Sequence, residues 1–173
     1  MIQKKVCMLG GFAVGKTSLV RRFVTNLFSE RYHSTIGVSV DKKSVVVEGK
    51  EMTLVLWDLY GDDDYQRVHE SYLRGMSGYV LVIDGMRRTT LDTALVLQQT
   101  AERTVGTVPF VVLVNKTDLR GEWEVDEHAI TQLRDRGWTI IFGSAKLGQG
   151  VEEAFMILAT RMLTASSAHG AGL

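Results

Sequence analysis

The chain has 173 residues, 45% of them hydrophobic and 23% charged, and its 20 Lys and Arg balance its 20 Asp and Glu. That length accommodates one domain with its own core, and the composition is ordinary for a water-soluble globular protein. The even charge excludes the basic footprint of a nucleic-acid binder, and no polybasic stretch suits an acidic membrane surface.

In chain order, the apolar run 6–9 is the first expected strand, and it contains the single cysteine, Cys7. One cysteine excludes an intramolecular disulfide and points to a reducing compartment, here the cytoplasm. Cys7 reads as a small buried residue. The apolar residues after Lys4 and Lys5 are too few for a secretory signal, and no segment is long enough to span a membrane.

The next eight residues are Gly10-Gly11-Phe12-Ala13-Val14-Gly15-Lys16-Thr17, followed by Ser18 and a helix over 17–25. They match the phosphate-loop pattern in its required place, after a strand and before a helix. Glycines let the backbone curl so that successive N–H groups face a phosphate chain, and the helix N-terminus adds its dipole. Lys16 can reach the β- and γ-phosphates, and the Thr17 hydroxyl can ligate Mg²⁺.

Residues 40–48 are half polar (Lys42, Lys43, Ser44) and are followed by the turn Glu48-Gly49-Lys50, which predicts an edge strand in a hairpin with 53–57. Runs 79–83, 110–114 and 139–142 are nearly continuous in apolar character, as strands covered on both faces are. Leu91, Ala94, Leu95, Gln98, Ala101 and Val105 keep helical spacing. Ile130 and Leu133 mark a short helix ending near Gly137. Val151, Ala154, Phe155, Leu158 and Met162 line a last helix. About six strands and five helices in alternation predict an α/β fold: a mostly parallel sheet with one antiparallel edge strand and helices on both sides. The expected organisation is a single domain over 1–164 with a flexible tail over 165–173.

Two further motifs sit where ligands bind in open α/β sheets, just past strand ends. In Asn115-Lys116-Thr117-Asp118, the Asp118 carboxylate can accept from the two adjacent N–H groups on guanine's edge. Adenine lacks that pair, and a site built for such bonds rejects it strongly. The stem of Lys116 can lie along the base, and Asn115 can tie this loop to the phosphate loop. In Ser144-Ala145-Lys146, the Ala145 N–H can meet the guanine carbonyl oxygen. These residues argue against an ATP-using P-loop kinase, which would also need a lid for its second substrate.

With these three motifs in order, the chain resembles the Ras superfamily of small GTPases over nearly its whole length, 4–164. The resemblance implies a three-layer P-loop fold and a switch that binds GTP or GDP with Mg²⁺ and hydrolyses GTP. It implies that Thr35 joins the Mg²⁺ shell in the GTP state, and that Phe28 packs on the base. It further implies that Asp58 holds Mg²⁺ through water and that Gly61 contacts the γ-phosphate. Protein effectors and regulators would dock on switch I, around Thr35, and switch II, about 59–75. No cysteine stands near the end for prenylation, so no direct lipid anchor is expected; the chain is expected to be a monomer.

Two positions depart from that pattern. Asp62 stands where relatives usually carry a water-orienting glutamine, and an ionised carboxylate only accepts hydrogen bonds. It reads either as part of a solvated acidic loop with Asp63 and Asp64 or as a general base. Phe12 stands where relatives commonly carry a small side chain, at the entry route of an activating arginine. Its ring either blocks that route or turns outward onto switch II. Together they predict slow hydrolysis, with a GTP-loaded scaffold as the alternative to a cycling switch. His33, His69, His128 and His169 show no metal spacing. Arg87 and Arg88 read as loop decoration, and Trp123 and Trp138 as a surface aromatic and a core edge.

Overall fold

Strands with few polar residues must be covered on both faces, and the chain achieves this by placing helices above and below a single sheet. The structure, a computed structural model, describes residues 1–28, 37–59 and 70–170. Its elements are β1 (Ile2–Gly10), α1 (Lys16–Thr25), β2 (Val38–Val47), β3 (Lys50–Leu59), α2 (Glu70–Leu73), β4 (Gly78–Asp84), α3 (Thr89–Val105), β5 (Phe110–Asn115), α4 (Glu127–Asp135), β6 (Ile140–Phe142) and α5 (Val151–Gly170). A 3₁₀ turn over Thr117–Glu122 lies between β5 and α4. The strand order is β2-β3-β1-β4-β5-β6. Every pairing is parallel except β2 with β3, which is the expected antiparallel edge.

Side chains alternate across a strand, and β1 shows the consequence. Val6 and Met8 enter one core with Leu19 and Phe23 of α1 and Phe155 and Leu158 of α5. Cys7 and Leu9 enter the other with Leu91, Ala94 and Leu97 of α3 and Ile130 of α4. In the first core the Phe23 and Phe155 rings stack at 4.1 Å. On β2, Val45 and Val47 point inward and Val46 outward, so the edge strand has one wet face.

Parallel strands put their C-terminal ends along one edge of the sheet. Gly10 lies opposite Val82, Asp84 opposite Asn115, and Met8 opposite Asp58. The loops after β1, β4, β5 and β6 therefore converge, and they carry all three sequence motifs. Two features differ from the sequence expectation. The 3₁₀ turn, which includes Asp118, has no apolar periodicity to announce it, because none of its residues is buried. The last helix also runs on to Gly170, into the stretch expected as tail.

Candidate functional site

The loop from β1 to α1 turns on Gly15, whose φ of +104° is the left-handed region that favours glycine. Space requires glycine too, since a Cβ there would lie 2.3 Å from Asn115 Nδ2. Ala13 also has positive φ, +57°. Alternation of left-handed and ordinary residues is the backbone form that gathers N–H groups into an anion-binding hollow. The α1 N-terminus has neither a side-chain cap nor an acidic residue of its own in the first turn, and the positive end of the helix faces the loop. Lys16 crosses the loop and donates to the carbonyls of Gly10 and Gly11, each at 2.9 Å. Burial pushes its ammonium down to about 8; the Asp58 charge opposes that shift and the Arg87 charge adds to it.

The Thr17 hydroxyl donates to Asp58 Oδ2 at 2.5 Å, and Asp58 is buried at the end of β3. These are two hard oxygen donors in contact. Mg²⁺ characteristically takes one or two protein oxygens and completes its shell with water and phosphate. Among the described residues no group of three or more His, Cys, Asp or Glu could hold a metal. The Thr17 and Asp58 oxygens are of the hard type that Mg²⁺ takes.

Asn115 joins the loops. Its Nδ2 donates to the Val14 carbonyl at 3.0 Å, and its Oδ1 accepts from the Ala145 N–H at 3.1 Å. The second bond uses the same Ala145 N–H that the sequence expectation assigned to a base. Ser144, fully buried, donates to Asp118 Oδ1 at 2.8 Å and accepts from the Leu147 N–H. Arg22 of α1 donates from Nε to the Ala145 carbonyl at 2.7 Å and from Nη2 to the Lys146 carbonyl at 2.5 Å. The same guanidinium lies 6.0 Å from the Phe28 ring centre, so one side chain bridges Phe28 and the loop after β6.

Several contributors were invisible to motif reading. Lys116 has φ of +75°, and its ammonium pairs with Asp84 Oδ2 at 2.7 Å. Arg87 is not loop decoration: Nε donates to Asp84 Oδ2 at 3.0 Å and Nη2 to the Phe12 carbonyl at 2.7 Å. Trp123 is not a surface aromatic either. Its indole N–H donates to the Lys116 carbonyl at 2.8 Å, and its ring covers Gly85 so closely that a Cβ there would lie 2.1 Å away. Ordinary local spacing gives no signal for pairs brought together only by neighbouring strand ends. Arg22, Arg87, Asp84 and Trp123 each lack a motif of their own.

Gly10, Phe12, Ala13, Val14, Gly15, Lys16, Thr17, Ser18, Phe28, Asp58, Asn115, Lys116, Asp118, Ser144, Ala145 and Lys146 all lie among the described residues. Thr35, Gly61 and Asp62 lie outside them. No described helix is long and apolar enough to cross a membrane.

Comparison with known proteins adds three findings. The Ras family profile matches residues 5–164. The chain is 32% identical to Ras-related protein Rab-13 of Canis lupus familiaris, over 97% of this chain and 84% of the relative. It is 34% identical to the Ypt/Rab-type GTPase ypt7 of Pyricularia oryzae, over 92% and 82% respectively.

Proposed function

The chain belongs to the Ras family, and from that premise we propose that it is a cytoplasmic, monomeric guanine-nucleotide switch with slow GTP hydrolysis. The observation that carries this reading is the pair of hydrogen bonds that Asn115 makes, donating to the Val14 carbonyl and accepting from the Ala145 N–H. It ties the phosphate loop to the loops after β5 and β6, so that the groups suited to a base and those suited to phosphates stand beside one another.

In that arrangement Asp118 accepts from the guanine edge, held in aim by Ser144, while the Lys116 stem and Phe28 flank the ring. The Ala145 N–H is shared between Asn115 and the guanine oxygen. The loop N–H groups from Ala13 to Ser18 and the Lys16 ammonium take the phosphates, and phosphate charge offsets the burial that lowers Lys16. Thr17, and Asp58 through water, would hold Mg²⁺, which neutralises charge on the β- and γ-oxygens when bound. Thr35 and Gly61 sense the γ-phosphate, and its loss releases the effector-binding switch segments.

Hydrolysis transfers the γ-phosphoryl group to water, giving GDP and phosphate. Lys16, Thr35 and Gly61 stabilise the charge of that transfer. Asp62 supplies no donor to the transferring oxygens, and Phe12 obstructs an incoming arginine, so turnover is slow with or without an activator. The test is the nucleotide content of the purified protein, followed by single-turnover hydrolysis of loaded GTP. Stoichiometric guanine nucleotide that EDTA with excess GDP displaces, and ATP does not, is expected. Absence of guanine nucleotide, together with failure to load any, would sink the reading. Retained GTP that never turns over would leave binding intact and favour a GTP-loaded scaffold.

A further inference from the structure

Asp84 is fully buried at the end of β4, yet its carboxylate serves three donors from two different loops. Oδ1 accepts from the Met86 N–H at 2.9 Å. Oδ2 accepts from both Arg87 Nε at 3.0 Å and Lys116 Nζ at 2.7 Å. Two cations on one carboxylate leave one positive charge uncompensated within the group. Arg87 carries that charge outward to the phosphate loop, where Nη2 reaches the Phe12 carbonyl at 2.7 Å. Side chains of Arg87 and Lys116 are 40% and 34% exposed, so the cluster stands at the rim of the pocket with its anion beneath.

The bond to Phe12 has a consequence for the next residue. No peptide bond in the described structure is cis, and in a trans peptide the C=O and the following N–H point in opposite directions. Anchoring the Phe12 carbonyl on Arg87 therefore turns the Ala13 N–H away from Arg87. Ala13 holds φ of +57°, a conformation that costs a non-glycine residue energy and persists only where surroundings enforce it. The guanidinium holds the peptide on the N-terminal side of that residue.

We propose that Arg87 is a positioning residue, clipped to Asp84, that fixes the Phe12–Ala13 peptide so that the Ala13 N–H faces the polyphosphate. This rests on the nucleotide-binding role above and adds a specific cause of tight diphosphate retention. Through Asp84 the clip also joins the phosphate loop to Lys116, whose carbonyl Trp123 holds from the far side. Arg87 does this work by shaping the loop; it needs no contact with the nucleotide.

The experiment compares wild type with Arg87→Ala and Arg87→Lys, measuring release of fluorescent GDP and its competition by GDP and by GMP. GMP lacks the β-phosphate, so an effect on the loop separates the two ligands, whereas a general loss of fold weakens both alike. Arg87→Ala should release GDP about tenfold faster, with GMP affinity within about twofold of wild type. Arg87→Lys, which keeps the charge but not the two-pronged geometry, should fall between. Should the alanine variant fail to fold, the lysine variant carries the same GDP-against-GMP comparison. GDP release at the wild-type rate, or equal weakening of GDP and GMP, overturns the clip while leaving guanine-nucleotide binding in place. If wild type itself binds no guanine nucleotide, both ideas fall.

Discussion

The Asn115 side-chain amide donates to the Val14 carbonyl at 3.0 Å across 101 positions of sequence, and its oxygen accepts from the Ala145 N–H at 3.1 Å. Asn115 is buried, so neither bond can be replaced cheaply by water. Truncation to alanine leaves a buried carbonyl and a buried N–H without this partner, each costing roughly 1–3 kcal/mol. Asn115→Ala is therefore expected to lower unfolding stability by about 2–4 kcal/mol in urea titration. It should also weaken GDP binding at least about tenfold. Asn115→Asp keeps the acceptor and loses the donor, and it should fall between the two.

Gly15 answers to the same asparagine. A methyl group at this position would meet Asn115 Nδ2 at 2.3 Å on a backbone already at φ +104°. Gly15→Ala is expected to cost about 2–4 kcal/mol from left-handed strain and displaced contact together. Thermal melting of the nucleotide-free protein checks this. An unchanged melting temperature would mean that the loop relaxes freely, contrary to the packing described.

Cys7 gives a pH prediction. Burial pushes its thiol up to about 12, against a smaller opposing effect of Lys5, and its Sγ lies 3.6 Å from the Tyr72 carbonyl. The folded state keeps the neutral thiol where the unfolded chain would ionise it. The associated stability is thus fully present below the ordinary thiol value of 9.0 and is lost progressively as pH rises from there toward 12. Stability of wild type should fall more steeply over that window than that of Cys7→Ala. At pH 8 the native thiol should react with a disulfide reagent at least about a hundredfold more slowly than in the unfolded chain.

Phe12 and Asp62 carry the prediction about rate. If the ring bars an arginine and the carboxylate cannot donate, Phe12→Gly should restore sensitivity to an activating protein, and Asp62→Gln should raise intrinsic turnover. An arginine finger is worth about 10³–10⁵ in rate, so even partial restoration is measurable by single-turnover GTP hydrolysis. The proposal does not survive if neither substitution raises the rate under either condition.

The fold and the central site were legible for different reasons. Strands 79–83 and 110–114 announced themselves because burial on both faces demands unbroken apolar runs, and the observed strands Gly78–Asp84 and Phe110–Asn115 enclose them. The half-polar run with Lys42 to Ser44 marked the edge because one face of β2 meets water. The three loops were legible because their contacts use backbone curvature and short, fixed spacings that a linear pattern can hold.

Arg87, Asp84, Arg22 and Trp123 were not legible, and the reason is also physical. Three act through a partner far along the chain, Arg87 on Phe12 at 75 positions, Arg22 on Ala145 at 123 and Asp84 on Lys116 at 32, while Trp123 bonds a carbonyl seven positions away in an irregular turn. A hydrogen bond of that kind asks only for a donor near an acceptor, which leaves no periodicity or spacing in the sequence. The amino-acid order by itself determined the αβ alternation, the glycine-permitted loop and the candidate chemistry of Lys16, Thr17, Asn115 and Asp118. The parallel sheet decided the rest: by bringing the C-terminal ends of β1, β4 and β5 to one edge, it turned an unremarkable arginine into the clip on the phosphate loop.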